Sequence, residues 1–429
     1  MRIIPADVYQ IERNVDYGTR EQNEAVQKII QDVATGGDAA LLKYTAEFDK
    51  MTFAASDLRV TEEEVKAAYD QVDEEFLAAL RQAASNIRSF HEKQKRTSWI
   101  DTREDGTILG QIMRPIKRAG LYVPGGTAAY PSTVLMNVIP AKVAGVSEIV
   151  MVTPPATAGK AGINPYILVA AAEAGVTEIY RVGGAQAIAA LAYGTETIPA
   201  VDKICGPGNI YVALAKRYVY GSVDIDSIAG PTDIVVLADE TADPEYVAAD
   251  LLSQAEHDVM SSAILVTDSP ALAEAVSAEV DRQLAELPRR DIASAAIAKS
   301  AILTVDSLAE GVRTVNRIAP EHLEVIVREP ISVLPHIKNA GAIFLGPYST
   351  EPVGDYFAGP NHVLPTNGTA RFSSPLNIDD FMKKSSIIQY SKDALLRDAG
   401  YIMSLARAEG FEGHARAVEI RVKKEGNSQ

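Results

Sequence analysis

The arrangement of apolar and polar positions changes near Gly120 and predicts different structures on its two sides. Residues 20–98 alternate charged and small apolar residues at helical spacing, which predicts several helices. Beyond Gly120, short apolar runs end in glycine or proline and are followed by helical patterns, which is typical of a parallel sheet covered by helices. The predicted strands are residues 119–123, 148–152, 178–182, 203–205, 234–238, 263–267 and 302–305. After about Phe372 the pattern loosens into a helical tail.

One predicted helix carries two polar residues on the face that should be apolar. Asp243 is typical of a helix N-cap, and Pro244 of the first helical position. Helical spacing from Leu251 places Gln254 and His257 on the inward face. A buried polar group without a partner costs about 1–3 kcal/mol. We therefore expect both side chains to have partners, which could be a backbone carbonyl, a water molecule or a metal ion.

The composition is that of a globular protein of two or three domains, with 429 residues of which 47% are hydrophobic and 23% charged. A net charge of −16, from 41 basic and 57 acidic residues, argues against nucleic acid or an anionic membrane surface as a partner. No segment is typical of a signal peptide or a transmembrane span. The single cysteine, Cys205, excludes an intrachain disulfide framework. These features predict a soluble cytoplasmic protein.

Two glycine-containing turns, at residues 183–186 (GGAQ) and 206–209 (GPGN), follow predicted strands and begin predicted helices. Such a turn offers free backbone N–H groups to a phosphate at the carboxyl end of a parallel strand. The same turns could serve only to reverse the chain. A Walker Gly-Lys-Ser/Thr sequence is absent, which argues against an ATPase.

Several scarce residues are candidates for chemistry. Glu321 and His322 are adjacent and could move protons together if the bend at Pro320 brings both to one side. Cys205 could attack an aldehyde, but its apolar setting favours a small buried residue. We interpret the remaining two histidines outside the candidate sites, His91 and His336, as packing or surface residues.

A mixed nitrogen and oxygen metal site could be formed by Gln254, His257, Asp355 and His414. The set contains no thiolate, which is more typical of a catalytic site than of a structural zinc site. Glu409 and His414 lie five residues apart in a predicted C-terminal helix over 406–420, where they would line a broad face.

Longer motifs resemble the histidinol dehydrogenase family, occur in the family's order and cover nearly the whole chain. They are GLYVPGG at 120–126, VGGAQAIAAL at 182–191, GPGN at 206–209, LLSQAEH at 251–257, PEHL at 320–323, GDY at 354–356 and NHVLPT at 361–366. One departure is Thr232-Asp233, where the family commonly has Ser-Glu. Threonine keeps the hydroxyl that is expected to meet the substrate and adds a methyl group.

The resemblance implies an NAD-dependent enzyme with one zinc ion per subunit that performs the last two steps of histidine biosynthesis. L-Histidinol is oxidised to L-histidinal, the aldehyde is hydrated, and the hydrate is oxidised to L-histidine, with two NAD⁺ reduced. It also implies an α/β fold of two incomplete Rossmann-like parallel-sheet domains, a helical N-terminal segment and an extended helical C-terminal tail. The expected domains are 1–118 with 230–372, an inserted NAD-binding domain at 119–229, and a dimerisation arm at 373–429.

The resemblance further implies roles for individual residues. His322 would be the base in both oxidations, and Glu321 would activate the water that hydrates the aldehyde. The expected metal ligands are Gln254, His257, Asp355 and His414, and these four, with Glu321 and His322, would also contact the substrate. Further substrate contacts would be Thr232, His362 and Glu409, and NAD contacts would be Tyr122, Gln186 and Asn209. The family is a homodimer in which Glu409 and His414 would act on the partner's site.

Three other functions stay open from the sequence. A related metal- and NAD-dependent dehydrogenase could oxidise another small alcohol, such as a sulfonated diol, but Glu409 and His362 suit an imidazole better than an anion. The protein could be a metal-dependent hydrolase, but that function does not explain the two glycine-containing turns. It could also be a non-catalytic binding module, but that function does not explain the adjacent Glu321 and His322.

Overall fold

The computed structural model describes residues 1–11, 18–125, 130–155, 162–228 and 230–426. Gly126, the last residue of the motif at 120–126, lies outside these ranges. Among the described residues, no helix is both long and apolar enough to span a membrane.

The strands of the described chain are numbered in chain order. They are β1 (Arg2–Pro5), β2 (Trp99–Thr102), β3 (Ile108–Pro115), β4 (Arg118–Tyr122), β5 (Glu148–Val152), β6 (Glu178–Tyr180), β7 (Lys203–Cys205), β8 (Asp224–Ile225), β9 (Asp233–Ala238), β10 (Ser262–Thr267), β11 (Ala301–Thr304), β12 (His322–Ile326), β13 (Ala342–Leu345) and β14 (Met382–Gln389).

The helices are numbered in the same way. They are α1 (Arg20–Phe48), α2 (Glu62–Tyr69), α3 (Glu74–Glu92), α4 (Pro131–Ala144), α5 (Pro165–Ala174), α6 (Gly184–Tyr193), α7 (Ile210–Val219), α8 (Pro244–Ala255), α9 (Pro270–Leu284), α10 (Arg290–Lys299), α11 (Leu308–Ile318), α12 (Pro330–Val333), α13 (Glu351–Val353), α14 (Lys392–Ala408) and α15 (Glu412–Gly426). Short 3₁₀ turns lie at Ala55–Asp57, Leu334–His336, Thr369–Arg371 and Ile378–Phe381, and a π-helical turn at Gly354–Ala358.

Two parallel sheets form the core. One has five strands in the order β6-β5-β4-β7-β8, and the other has six in the order β1-β11-β10-β9-β12-β13. Helices cover both faces of each sheet, so alternate residues of a strand enter different apolar clusters: Ile149 and Met151 of β5 pack on one side, Val150 and Val152 on the other. Burial on both faces explains why these strands are continuous apolar runs. The predicted α/β class is confirmed.

The described residues divide into two compact units. The first contains Met1–Gln94 and Ile116–Phe381, with both parallel sheets. The second contains Lys95–Pro115 and Met382–Gln429, with helices α14 and α15 and an antiparallel sheet in the order β14-β3-β2. The sequence did not predict β14 within the helical tail. The domain boundaries expected from the resemblance stay a prediction.

Helix α8 begins as predicted but ends earlier. Asp243 accepts a hydrogen bond from Glu245 N–H at 2.9 Å and caps the helix, and Pro244 is its first residue. Gln254 is 0% exposed, as expected for the inward face. The helix ends at Ala255, and the chain turns just beyond it at Asp258, whose side chain accepts from Met260 N–H at 2.8 Å. The prediction that His257 lies on the inward helical face is therefore wrong, and its side chain is 46% exposed.

The predicted continuous helix over 406–420 is also wrong. Helix α14 ends at Ala408 and α15 begins at Glu412, with Gly410 between them at a φ of 80°. Only glycine adopts such a conformation without strain, and it is a common way to end a helix. Glu409 and His414 therefore lie on either side of a turn.

The turn after β7 is held by a tight polar arrangement around Gly206. Gly206 N–H donates to Asp226 Oδ2 at 2.7 Å, and Lys216 Nζ donates to the Gly206 carbonyl at 3.0 Å. Lys216 and Asp226 also form an ion pair. Gly206 has a φ of 113°, and a Cβ there would lie 2.0 Å from the carbonyl oxygen of Tyr122. The backbone of β7 can approach β4 this closely only with glycine.

We expect Gly206→Ala to lower the free energy of unfolding by more than about 3 kcal/mol, because backbone strain of about 1–3 kcal/mol is joined by a steric clash. Gly221→Ala is the matched control, since Gly221 has a φ of 102° but a Cβ added there would meet no atom within 4 Å. Urea unfolding of both variants tests this. Equal destabilisation would show that the close approach to Tyr122 contributes nothing.

Candidate functional site

A cavity of about 1110 Å³ lies between the two parallel sheets of the first unit. Its lining includes Tyr122 and Gly206, at the carboxyl ends of β4 and β7, and Thr232, Glu321 and His322, at the amino ends of β9 and β12. The carboxyl edge of one sheet thus meets the amino edge of the other. The volume is at the upper end for ligand pockets, which is enough for a substrate and part of a cofactor.

Glu321 and His322 both line this cavity and are both buried. The bend at Pro320 has the expected effect, because Glu321 precedes β12 and His322 is its first residue. Glu321 Oε2 lies 4.0 Å from His322 Nδ1 and accepts from Asp233 N–H at 3.2 Å. Burial raises the pKa of Glu321 to about 7, although the neighbouring His322 opposes the rise.

The imidazole of His322 is oriented by the backbone. Its Nδ1 lies 3.3 Å from the carbonyl oxygen of Asp233, which can only accept, so Nδ1 carries the proton. Nε2 therefore carries the lone pair only when the ring is neutral, and it lies 3.5 Å from Asp355 Oδ1. Burial lowers the pKa of His322, but the charges of Glu321 and Asp355 outweigh this and raise it to about 10.

Asp355 and His362 lie on one side of the same cavity. Asp355 belongs to the π-helical turn, an irregular element that is frequent at functional sites. His362 Nδ1 donates to the Asp355 carbonyl at 3.0 Å, which leaves His362 Nε2 available as an acceptor. Burial raises the pKa of Asp355, but the hydrogen bond with His322 and the charges of the neighbouring histidines together outweigh it, so the net pKa is lowered.

Glu351 is a site residue that the sequence analysis missed. It is 2% exposed, lines the cavity, and places Oε1 3.7 Å from His257 Nε2. Potential ligand atoms of His322, Glu351 and Asp355 all lie within 4.8 Å of one another. Its position in the chain, between the histidine-containing motifs at 320–323 and 361–366, could have suggested a site residue. Nothing in the sequence, however, indicated that its side chain lies close to the histidines.

Gln254 lies beside the cavity and contacts its lining through Thr232. Its Nε2 donates to Thr232 Oγ1 at 2.8 Å, and Thr232 Oγ1 donates to Glu321 Oε2 at 2.5 Å. Gln254 Oε1 is buried and has no hydrogen-bond partner. A buried amide oxygen without a partner is costly, so a ligand at this position would relieve an unfavourable arrangement.

The donor set of the first unit fits a divalent cation. Ligand atoms of His322, Glu351 and Asp355 lie close together, and His257 Nε2 lies 3.7 Å from Glu351 Oε1. The buried amide oxygen of Gln254 adds a donor without a partner. Such nitrogen and oxygen donors suit zinc and similar metal ions. Asp355 is common to this group of three close residues and to the predicted ligand set, and the group also contains His322 and Glu351.

The three residues expected to contact NAD lie at the other end of the cavity. The Tyr122 hydroxyl accepts from Gly184 N–H at 3.1 Å at the start of α6, and burial raises its pKa to about 12. Gln186 is buried, and neither polar atom of its side chain has a partner. Asn209 caps α7, accepting from Tyr211 N–H at 3.1 Å.

Glu409 and His414 belong to the second unit. Both side chains are exposed, and the His414 ring lies 5.1 Å from that of Phe411. The described cavity is built from residues of the first unit. Their expected roles stay a prediction.

The remaining candidates have the ordinary roles expected of them. Cys205 is fully buried, and burial raises the pKa of its thiol well above the usual value, which makes it a poor nucleophile. His91 is buried, with Nδ1 2.7 Å from Gln94 Oε1 and Nε2 3.4 Å from Asn361 Nδ2. His336 is exposed.

Comparison with known proteins agrees with this geometry. Residues 13–422 match the family model of histidinol dehydrogenase. A protein named histidinol dehydrogenase from Halalkalibacterium halodurans is 61% identical over 420 residues, 98% of each chain. One from Bacillus subtilis is 60% identical and covers 98% of this chain and 97% of its own. The crystal structure of histidinol dehydrogenase from Elizabethkingia anophelis has a TM-score of 0.91 at 41% identity, covering 97% of this chain and 95% of its own. The chain therefore belongs to the histidinol dehydrogenase family.

Proposed function

We propose that the protein oxidises L-histidinol through L-histidinal to L-histidine and reduces two NAD⁺, as the last steps of histidine biosynthesis in the cytoplasm. The observation that carries this proposal is the tautomer of His322. Its Nδ1–H faces a backbone carbonyl, so Nε2 would carry the lone pair of the neutral ring, inside a cavity large enough for a substrate and part of a cofactor. The identity of the substrate is inferred from membership of the family.

NAD would bind at the end of the cavity formed by Tyr122, Gln186 and Asn209. The unpartnered amide of Gln186 suits the hydroxyl and amide groups of a dinucleotide. The positive ends of the dipoles of α6 and α7 suit its phosphates.

One zinc ion per subunit would be held by Gln254, His257, Asp355 and His414. When bound, it would supply a fixed positive charge that positions the amine and imidazole nitrogens of the substrate. This proposal gives the orphaned oxygen of Gln254 a partner. A positive charge beside His322 would also oppose the carboxylates that favour its protonated form, and so keep its Nε2 able to accept a proton.

His322 would accept the hydroxyl proton in each oxidation while a hydride leaves the adjacent carbon for NAD⁺. Glu321 would accept a proton from the water that adds to the aldehyde. Its raised pKa, about 7, makes it a stronger base than an ordinary carboxylate. Cys205 has no part in this scheme.

Thr232, His362 and Glu409 would complete the substrate contacts. His362 Nε2 can accept from the substrate, since Nδ1 donates to the backbone. Glu409 suits the N–H of an imidazole and would repel a sulfonate, which favours histidinol over a sulfonated diol.

The protein would act as a homodimer that shares each site between subunits. The second unit exposes large apolar side chains, among them Tyr401, Leu405 and Phe411. Exposed apolar clusters of this kind mark protein interfaces. Glu409 and His414 lie beside these side chains in the segment formed by α14 and α15, and would reach the partner's cavity.

The yield of NADH tests the reaction as a whole. We expect two NADH and one histidine for each L-histidinol consumed, and loss of turnover when a chelator removes the metal. Absorbance of NADH together with product chromatography measures both. A protein that is supplied with NAD⁺ and zinc and yields no NADH from histidinol would refute the proposal.

We expect His322→Asn to slow both oxidations by about 100- to 10,000-fold, because the base is lost. Glu321→Gln should slow turnover of histidinal more than the oxidation of histidinol. Single-turnover assays started from either substrate separate the two steps, and His336→Asn at an exposed position is the control. If Glu321→Gln impairs both steps equally, the division of roles is wrong.

Mixed dimers test the shared site. A heterodimer of a His322→Asn chain and a His414→Ala chain, purified through two different tags, should recover about half of the wild-type activity, since one of its two sites is intact. Sites formed within one chain would give an inactive heterodimer, because each site would carry one substitution. A dimer of two His322→Asn chains is the inactive control.

A further inference from the structure

The hydroxyl of Thr232 joins two residues of the candidate site. Its Oγ1 lies 2.5 Å from Glu321 Oε2 and 2.8 Å from Gln254 Nε2. Glu321 is the expected activator of water, and Gln254 an expected metal ligand. One side chain therefore connects the two functions.

The backbone fixes the direction of both hydrogen bonds. Asp233 N–H can only donate, and it donates to Glu321 Oε2 at 3.2 Å, so this oxygen is an acceptor. Thr232 Oγ1 then gives its single proton to the same oxygen. With its proton donated, the hydroxyl must accept from Gln254, which requires the NH₂ group of the amide rather than its oxygen.

This chain of donors decides which way the amide of Gln254 faces. With its NH₂ group held by Thr232, the oxygen Oε1 is left buried and without a partner. A glutamine can bind a metal ion only through its oxygen, because its nitrogen has no free lone pair. In the reversed amide the NH₂ group would take the place of this oxygen and could not bind a metal ion.

We propose that Thr232 is a positioning residue for Gln254, whose amide it holds with the oxygen free for the metal. The inference rests on the proposed function, in which Gln254 is a ligand. It differs from the expected role of Thr232 in substrate contact, for which the hydroxyl has only one lone pair left. The hydroxyl is the essential part, and serine supplies the same group.

The affinity for Zn²⁺ tests this assignment without measuring catalysis. Metal-free full-length protein is titrated with Zn²⁺ in competition with a chromogenic chelator. We expect Thr232→Val, which keeps the shape and removes the hydroxyl, to bind Zn²⁺ about 10- to 100-fold more weakly. Thr232→Ser should stay within about threefold of the wild type, and Thr232→Ala is a second variant without the hydroxyl.

A double-mutant cycle shows whether the effect passes through Gln254. In a Gln254→Ala background, Thr232→Val should weaken Zn²⁺ binding no further. Thermal unfolding of the metal-free variants reveals any general loss of structure. The assignment is wrong if the Thr232→Val and Thr232→Ser variants bind Zn²⁺ equally well. It is also wrong if Thr232→Val still weakens Zn²⁺ binding in the Gln254→Ala background. A wild type that binds no Zn²⁺ would overturn the proposed metal site itself.

Discussion

The reciprocal bonding between the first residue of β9 and the residue that precedes β12 is the interaction on which the site depends. Asp233 N–H donates to the Glu321 side chain, and Glu321 N–H donates to the Asp233 side chain at 3.1 Å. Hydrogen bonds to charged groups contribute about 1.5–3 kcal/mol each. They fix Glu321, and the Asp233 carbonyl fixes His322. The geometry of the proposed base and of the proposed water-activating carboxylate therefore follows from the parallel pairing of two strands.

A concentration of buried carboxylates accompanies this arrangement. Burial raises the pKa of Glu351 to about 7, and burial together with Asp250 raises that of Glu324 to about 9. Glu324 Oε1 accepts from the backbone N–H of Glu351 at 2.8 Å, and the charge of Glu351 also raises the pKa of Glu324. Buried like charges are unfavourable unless a proton or a cation compensates them. The proposed zinc ion would thus stabilise the fold as well as position the substrate.

The sequence predicted the features that depend on neighbouring residues and missed those that depend on distant ones. Seven strands of the two parallel sheets were visible because burial on two faces makes them apolar throughout, whereas β1, β8, β12 and β13 were not predicted. Asp243-Pro244 marked the start of α8. Strand β14 was missed because its exposed positions carry polar residues such as Lys383 and Ser386, and its partner β3 lies far away in the chain. Glu351 was missed because the residue that it contacts also lies far away in the chain. Its importance comes from contact with His257, which no local pattern encodes.

The opposite orientation of the two sheets around the cavity has an electrostatic consequence. At the carboxyl edge of the five-stranded sheet, α6 and α7 begin, and the start of a helix carries about half a positive elementary charge. At the amino edge of the six-stranded sheet, α8 and α11 end, and the end of a helix carries a similar negative charge. The cavity is therefore polarised by its backbone alone. Anionic and cationic ligands are directed to opposite ends of one space before any side chain is considered.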